Sequence, residues 1–422
     1  MFWKCHYRKC FKYIRPTHAV FSLLNLDRVI MNITIPKFFS SAIRSKIATN
    51  LQQWKGKGCL HDPLAWRIAV PELASLDYKW EKSGQNTPLN TPRLMDVFRF
   101  FGSVSLDLRD VPGLGHGRVF LASKKTNQFK NQLENIASSK SFAAICITED
   151  GGGTDLHSIK TTAVRKNDRY EISGQKKYVA RLRQSDIYIV FANVIGLEQG
   201  LTAFLIDRSD SAIEVTDIKA MGLRGISWGQ LDLNNISIPL NNRIGGEGQG
   251  FTIFSIHFSF WRCAMAAAAI GAAQGALNDA KNRLQNRYAF SGKIGRFTHL
   301  QQEYAKHASR LHMAWLLIQS TAQRIEQKQY SYVDAAMAKA ESVEAAIAAV
   351  QWSMLAHGAF GYSSEANLEK TLRDLLGLRI ADGTTDVLRG QVARGLLGEE
   401  LYALSLGREV NDFSPARERQ LW

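Results

Sequence analysis

The chain has 422 residues, 45% of them apolar and 22% charged, the proportions of a globular protein long enough for two or three packed domains. Its formal net charge is +15, but residues 1–60 hold eleven Lys/Arg against the single acid Asp27, so the remaining 362 residues carry only about +5. A basic excess confined to one end, with no basic recognition element in the body, argues against nucleic acid as a partner. Five cysteines (Cys5, Cys10, Cys59, Cys146 and Cys263) make neither a disulfide framework nor four zinc ligands, which fits a reducing compartment and no metal.

Residues 1–58 read as a basic extension. Its scarcity of acids and its Ser40, Ser41 and Ser45 loosely match an organellar transit peptide, and Met31 offers an alternative start. A cytoplasmic protein with a solvated extension is the simpler expectation, and a mitochondrial one the alternative. Residues 59–142 have a mostly helical texture, interrupted by the Gly/Pro cluster running from Val111 to Gly117. From 143 to 248 short apolar runs (Phe142–Ile147, Ile187–Ala192, Ala203–Ile206, Leu231–Ile238) are bounded by Gly, Asn and Asp, as strands are. From 249 to 410 long Ala/Leu/Gln/Glu-rich segments at 262–286, 299–327 and 333–357 repeat every three or four residues, as helices do; 411–422 form a tail. The alanine-rich run from Cys263 to Leu277 is too short to span a bilayer, which takes about 20 residues, and reads as a buried helix. Helix, sheet and helix in segregated blocks predict an α+β fold.

Four segments carry chemistry. Ile147-Thr148-Glu149-Asp150-Gly151-Gly152-Gly153-Thr154-Asp155 leaves a strand through glycines, which let backbone approach a ligand closely, and brings two hydroxyls. Ile172-Ser173-Gly174-Gln175-Lys176-Lys177-Tyr178-Val179 follows, with Thr161–Arg165 as its hairpin partner. The third runs from Met221-Gly222-Leu223-Arg224 through Ile236-Ser237-Ile238-Pro239 to Gly245–Phe251, and glycines lead it from a sheet into a helix. Each of these is also ordinary turn chemistry. The fourth joins His357-Gly358-Ala359-Phe360-Gly361-Tyr362, Glu369, Arg373-Asp374 and Ile380-Ala381-Asp382-Gly383-Thr384-Thr385-Asp386.

In order and spacing, these four segments resemble the acyl-CoA dehydrogenase family over residues 142–400. The resemblance implies an N-terminal helical domain, a middle β-barrel domain and a C-terminal four-helix bundle. It implies a homodimer or homotetramer with FAD at the subunit interface, and electron-transfer flavoprotein as acceptor. It also implies α,β-dehydrogenation of an acyl thioester, carried by coenzyme A or an acyl carrier protein. There a positioned base takes the α proton while hydride leaves the β carbon for flavin N5. The implied base is Asp382, where relatives carry glutamate; the shorter side chain also suits a cap for the helix starting near Thr384. Some relatives place the base before an arginine on the first bundle helix, but here Trp261 precedes Arg262 and cannot serve.

Implied flavin contacts are Thr148, Gly153, Thr154, Tyr178, Val179 and Ala180, with Tyr178 in place of a tryptophan and Ala180 in place of a threonine. Thr384, Asp386 and Gly358 fall at cofactor positions, and Arg287, Phe290 and Thr298 at positions supplied by a neighbouring subunit. Thr154, Trp261, Arg262 and Gly383 fall at the substrate. Trp261 either shortens an acyl tunnel or packs between helices. Two rival readings stay open: a flavin oxidase of a small carbon acid such as a nitroalkane, and a non-catalytic relative that has lost FAD, for which Ala180, Thr298 and Leu355 are the motive.

Overall fold

A computed structural model describes residues 34–55, 57–79, 88–122, 126–198, 200–329 and 331–398. Helix α1 (Ser41–Gln53) starts where the Ser40 hydroxyl accepts from the Ile43 amide, and it buries Ile43, Ile47 and Leu51, a stripe on one face with one residue every four. The basic extension expected over 1–58 is therefore shorter than the sequence implies, because these three apolar residues commit Ser41–Gln53 to the body. Helices α2 (Pro63–Ala69), α3 (Thr91–Val104) and α4 (Lys130–Ala137) follow. The Gly/Pro cluster bends and turns from Val111 to Leu114 between a 3-10 turn ending at Asp110 and another starting at Gly115.

The middle domain is one eight-stranded sheet: β1 (Ala143–Cys146), β2 (Thr162–Lys166), β3 (Arg169–Ala180), β4 (Ile187–Val194), β5 (Leu201–Asp207), β6 (Ile213–Asp217), β7 (Trp228–Pro239) and β8 (Arg243–Ile244). Its order is β6-β7-β3-β2-β4-β5-β8, with β1 parallel beside β4. The expected hairpin of β2 with β3 forms, and β4 is apolar except for Asn193 and buried along nearly its whole length because both of its faces are covered. Between Lys176 and Val179 the register of β3 against β7 slips. That bulge ejects Tyr178 from the ladder.

The rest is helical: α5 (Gly250–Asn286), a small hairpin of β9 (Tyr288–Ala289) and β10 (Gly292–Lys293), α6 (Thr298–Glu326), α7 (Tyr332–His357), α8 (Ala359–Tyr362), α9 (Leu368–Ile380) and α10 (Thr385–Leu397). Helix α5 begins at Gly250, well before the segment read from 262, and its middle is buried all round. It is long and apolar enough to cross a membrane, yet 83% of its most apolar window lies inside the protein, as for a core helix. It crosses α3 closely. A Cβ on Gly102 would lie 2.1 Å from the Ala268 carbonyl oxygen, and one on Gly271 1.9 Å from that of Arg99, so both positions require glycine.

Candidate active site

The site is assembled where α5, α7 and the turn between α9 and α10 meet. Helix α9 ends at Ile380, and Thr384 starts α10 by accepting from the Val387 amide. The cap is thus Thr384 and not Asp382, whose φ of +60° places it in the left-handed region instead. Gly383 follows at φ +100°. A non-glycine residue held in that region costs on the order of 1–3 kcal/mol, so the surroundings must impose it.

They do so through the two backbone carbonyls of the turn. Arg262 Nε donates to the Asp382 carbonyl at 2.9 Å, and Lys339 Nζ donates to that of Gly383 at 2.7 Å. Arg262 is itself fixed: its Nη2 donates to the Tyr332 hydroxyl at 2.8 Å, its Nη1 to Gln391 at 3.2 Å, and its guanidinium lies 4.2 Å from the Tyr332 ring centre. Lys339 is fully buried on α7, and burial lowers its ammonium to about 8, against the pull of Asp382. The carboxyl of Asp382 is raised above the usual range, because burial outweighs the positive charges of Lys339, Arg262, Arg109 and Arg181. Asp382 is half-buried and keeps some accessible surface.

Behind this turn Trp261 is 2% exposed. Its ring centre is 4.4 Å from that of His116, and the Arg181 guanidinium lies 5.4 Å from it. His116 Nδ1 is 2.9 Å from His257 Nε2, and burial with neighbouring arginines lowers both imidazoles, His257 to about 3. This pair is neutral at physiological pH.

The other wall comes from the bulged end of β3. Tyr178, at φ +61°, stands 46% exposed and stacks on Trp228 at 5.0 Å. Val179 is buried, Ala180 half-buried, and Arg181 at φ +62° turns inward. The glycine turn is pinned to this strand: Lys176 Nζ donates to the Ile147 carbonyl at 3.0 Å and to Glu149 at 2.7 Å, and the Lys177 amide donates to the Thr148 carbonyl at 2.8 Å. Thr148 is half-buried, while Gly153 and Thr154 are exposed beside it. The result is an open aromatic and hydroxyl-bearing shelf, the donor set and shape that a planar heteroaromatic ring requires. The hydroxyl that the family resemblance implies at position 180 is lacking, since Ala180 stands there.

The sequence-derived residues thus divide. Asp382, Gly383, Trp261 and Arg262 come together, and Tyr178, Val179 and Ala180 adjoin them through Arg181. Arg287, Phe290, Thr298 and Gly358 are all exposed. Arg287 is 25 helical positions beyond Arg262, roughly 37 Å along α5, so it does not serve the same pocket within one chain. Asp386 is exposed in the first turn of α10. Three residues of this environment escaped the sequence reading: Lys339, Arg109 and Arg181. Lys339 had one signal, a lone cation in the alanine-rich run of α7; the arginines had none. Two clefts of about 590 Å³ open elsewhere, one beside Asp96, Arg99 and Asp279 and one beside Arg93, Arg118 and Glu326, and neither is lined by the Asp382 turn.

Fold and site together describe a three-domain scaffold with one carboxylate on a strained turn beside an open aromatic shelf. Comparison with known proteins agrees. Residues 144–236 match the family model for the acyl-CoA dehydrogenase middle domain, and 248–397 that for its C-terminal domain. An acyl-CoA dehydrogenase of Bacillus subtilis (strain 168) is 28% identical over 72% of this chain and 80% of its own. A 3-sulfinopropanoyl-CoA desulfinase of Paraburkholderia xenovorans (strain LB400) is 31% identical over 61% and 68%. Among solved structures, the FAD complex of PigA superposes with a TM-score of 0.74 at 21% identity, covering 86% of this chain and 99% of that one. The chain belongs to the acyl-CoA dehydrogenase family, flavoprotein oxidoreductases acting on CH–CH groups.

Proposed function

We propose that the protein binds FAD and dehydrogenates an acyl thioester between its α and β carbons, with Asp382 taking the α proton. The observation that carries this reading is the Asp382 turn, held in a left-handed conformation by Arg262 and Lys339 at 2.9 and 2.7 Å. Two buried cations spent on two backbone carbonyls fix where a carboxylate points, and a positioned base is what a weak carbon acid needs. A carboxyl raised above its usual range is also a better proton acceptor when ionised.

FAD, when bound, accepts the hydride. Thr148 and Thr154 offer hydroxyls to its ring, Tyr178 with Trp228 behind it offers a stacking face, and Thr384 and Asp386 lie at the start of α10 for the rest of the cofactor. The missing hydroxyl at Ala180 leaves the ring to backbone donors. Arg287 and Phe290, just past the far end of α5, reach a cofactor only in a second copy, so a homodimer or homotetramer is part of the proposal. So are a coenzyme A or acyl carrier protein thioester as substrate and electron-transfer flavoprotein as acceptor. We place the protein in the cytoplasm. If residues near the start direct it to mitochondria instead, the removed leader ends before Ser40, because α1 packs into the body; a fluorescent fusion of residues 1–40 distinguishes the two addresses.

The test is Asp382→Asn. The purified variant is expected to stay yellow and to lose bleaching by acyl thioesters at least a hundredfold, measured by stopped-flow absorbance. Reduction at the parent rate removes Asp382 as base. Peroxide release with oxygen as sole acceptor would favour an oxidase, and a colourless parent protein a non-catalytic role.

A further inference from the structure

Helix α9 and the loop between β6 and β7 meet around a lysine that proton abstraction does not touch. Lys370 Nζ donates to Asp374 at 2.5 Å, one turn along α9, and to Asp107 at 2.8 Å, in the 3-10 turn Leu106–Asp110. The two carboxylates are 2% and 1% exposed. Their other oxygens hold the loop: the Leu223 amide donates to Asp374 Oδ1 at 2.6 Å, and the Gly225 amide to Asp107 Oδ1 at 3.0 Å. One ammonium therefore joins the N-terminal helices, the middle domain and the bundle. The negative charge left over falls to Arg109 and Arg373, whose guanidiniums these carboxylates feel.

The loop has no slack at this junction. Leu223 sits at φ +53°, which costs a non-glycine residue on the order of 1–3 kcal/mol and is held by the bond to Asp374. A Cβ on Gly222 would lie 2.5 Å from the Arg373 carbonyl oxygen, and one on Gly225 2.3 Å from that of His61. Arg373 Nη1 also donates to the Met221 carbonyl at 2.7 Å. The loop backbone thus lies directly on α9 on one side and on the N-terminal helices on the other.

Both halves of the candidate site start from here. Beyond Gly225, the Ser227 carbonyl accepts from the Arg181 amide at 2.8 Å, and Trp228 pairs with Ala180 and backs the exposed ring of Tyr178. From Gly225 to Trp228 an extended chain reaches about 10 Å at most. Beyond Asp374, α9 runs roughly 9 Å to its end at Ile380, and Asp382 follows. Shelf and base lie on different domains, yet each is a short, rigid span from the same lysine.

We propose that Lys370 is a positioning residue for the dehydrogenation: through Asp107 and Asp374 it fixes the gap between the Tyr178 shelf and the Asp382 turn, and so the alignment of an acyl group held between them. The inference rests on the dehydrogenase reading above. A displacement of about 1 Å between reacting groups can cost about a hundredfold in rate, so a junction this close to both walls acts on the reaction as well as on the fold. A lysine that only stabilised the fold would change how much protein is folded, and leave the folded, yellow protein as fast as the parent.

Stopped-flow bleaching by butyryl-CoA and octanoyl-CoA, together with hydrogen exchange followed by mass spectrometry, tests this. Lys370→Met is expected to lower the limiting rate of flavin reduction about tenfold or more. The apparent Kd of the thioester should stay within about threefold, since the variant misaligns a bound acyl group and spares its binding contacts. Amide exchange should quicken together at 221–228 and at 380–386, with β4 and β5 unchanged. Lys370→Arg should restore most of the rate and of the protection. If Lys370→Met does not fold, Asp374→Ala, which leaves the Asp107–Lys370 pair balanced, is read in the same way. Reduction at the parent rate, exchange that quickens at neither segment or at only one, or a loss of rate matched by loss of bound FAD overturns the inference and leaves the dehydrogenase reading standing. A parent bleached by neither thioester overturns both.

Discussion

The carboxyl of Asp382 and the ammonium of Lys339 are perturbed in opposite directions by the same burial, and each restrains the other. The carboxyl is raised, so the fraction able to act as base falls off at a higher pH than for an exposed aspartate. Lys339 opposes this while it is protonated, and it loses that charge as the pH rises through about 8. Removing the cation disfavours the carboxylate. Lys339→Met should therefore move the acid limb of flavin reduction to higher pH, as well as freeing the Gly383 carbonyl and slowing reduction at least tenfold. A pH profile of stopped-flow bleaching measures both effects; a uniform loss with an unmoved limb would mean that Lys339 only holds the turn.

At the scale of elements, the shelf depends on one buried ion pair. Lys176 is fully buried, and its ammonium meets Glu149 at 2.7 Å; Glu149 also accepts from the Thr161 hydroxyl and the amides of Lys160 and Thr161. Glu149→Gln leaves that lysine without its counter-ion and is expected to cost about 3–5 kcal/mol. Adding Lys176→Met should restore most of it in a denaturant titration. The α3–α5 crossing makes a second demand. Gly102→Ala forces a methyl into the Ala268 carbonyl, and urea unfolding is expected to show a loss of about 1–3 kcal/mol.

For the whole molecule, the exposed apolar side chains are concentrated on the helical half. Phe290 is 81%, Leu355 79% and Tyr362 86% exposed, and Phe290 sits at a hairpin tip beyond the end of α5. These side chains are the ones a second copy would cover if the proposed assembly forms. On the proposed assembly, Phe290→Asp should shift the sedimentation coefficient towards a single chain and release FAD on gel filtration; an unchanged oligomer that keeps FAD places the interface elsewhere.

Much of this could be read in the chain itself. Apolar runs and the hairpin segment marked β1 to β5, β7 and the long helices, since one face or both must be apolar wherever a strand or helix meets a core; β6, with no buried residue, went unmarked. Thr148, Tyr178 and Asp382 were singled out by the family resemblance that the order and spacing of the glycine-bearing segments carry; taken alone, each of those turns is ordinary local chemistry. The start of α5 was legible only as a glycine exit into a helix, since its first turns mix glycine and aromatics and the regular repeat begins near 262, and α1 was hidden in a basic run that composition alone describes as a tail. What only the tertiary structure decided is which distant charges meet. Arg181 lies at a strand end, Arg109 in a 3-10 turn, Arg262 and Lys339 on separate helices, and no periodicity within any of these segments encodes the distance between them. Their convergence on Asp382 follows from how sheet and bundle pack, and burial there turns ordinary side chains into a strongly charged site.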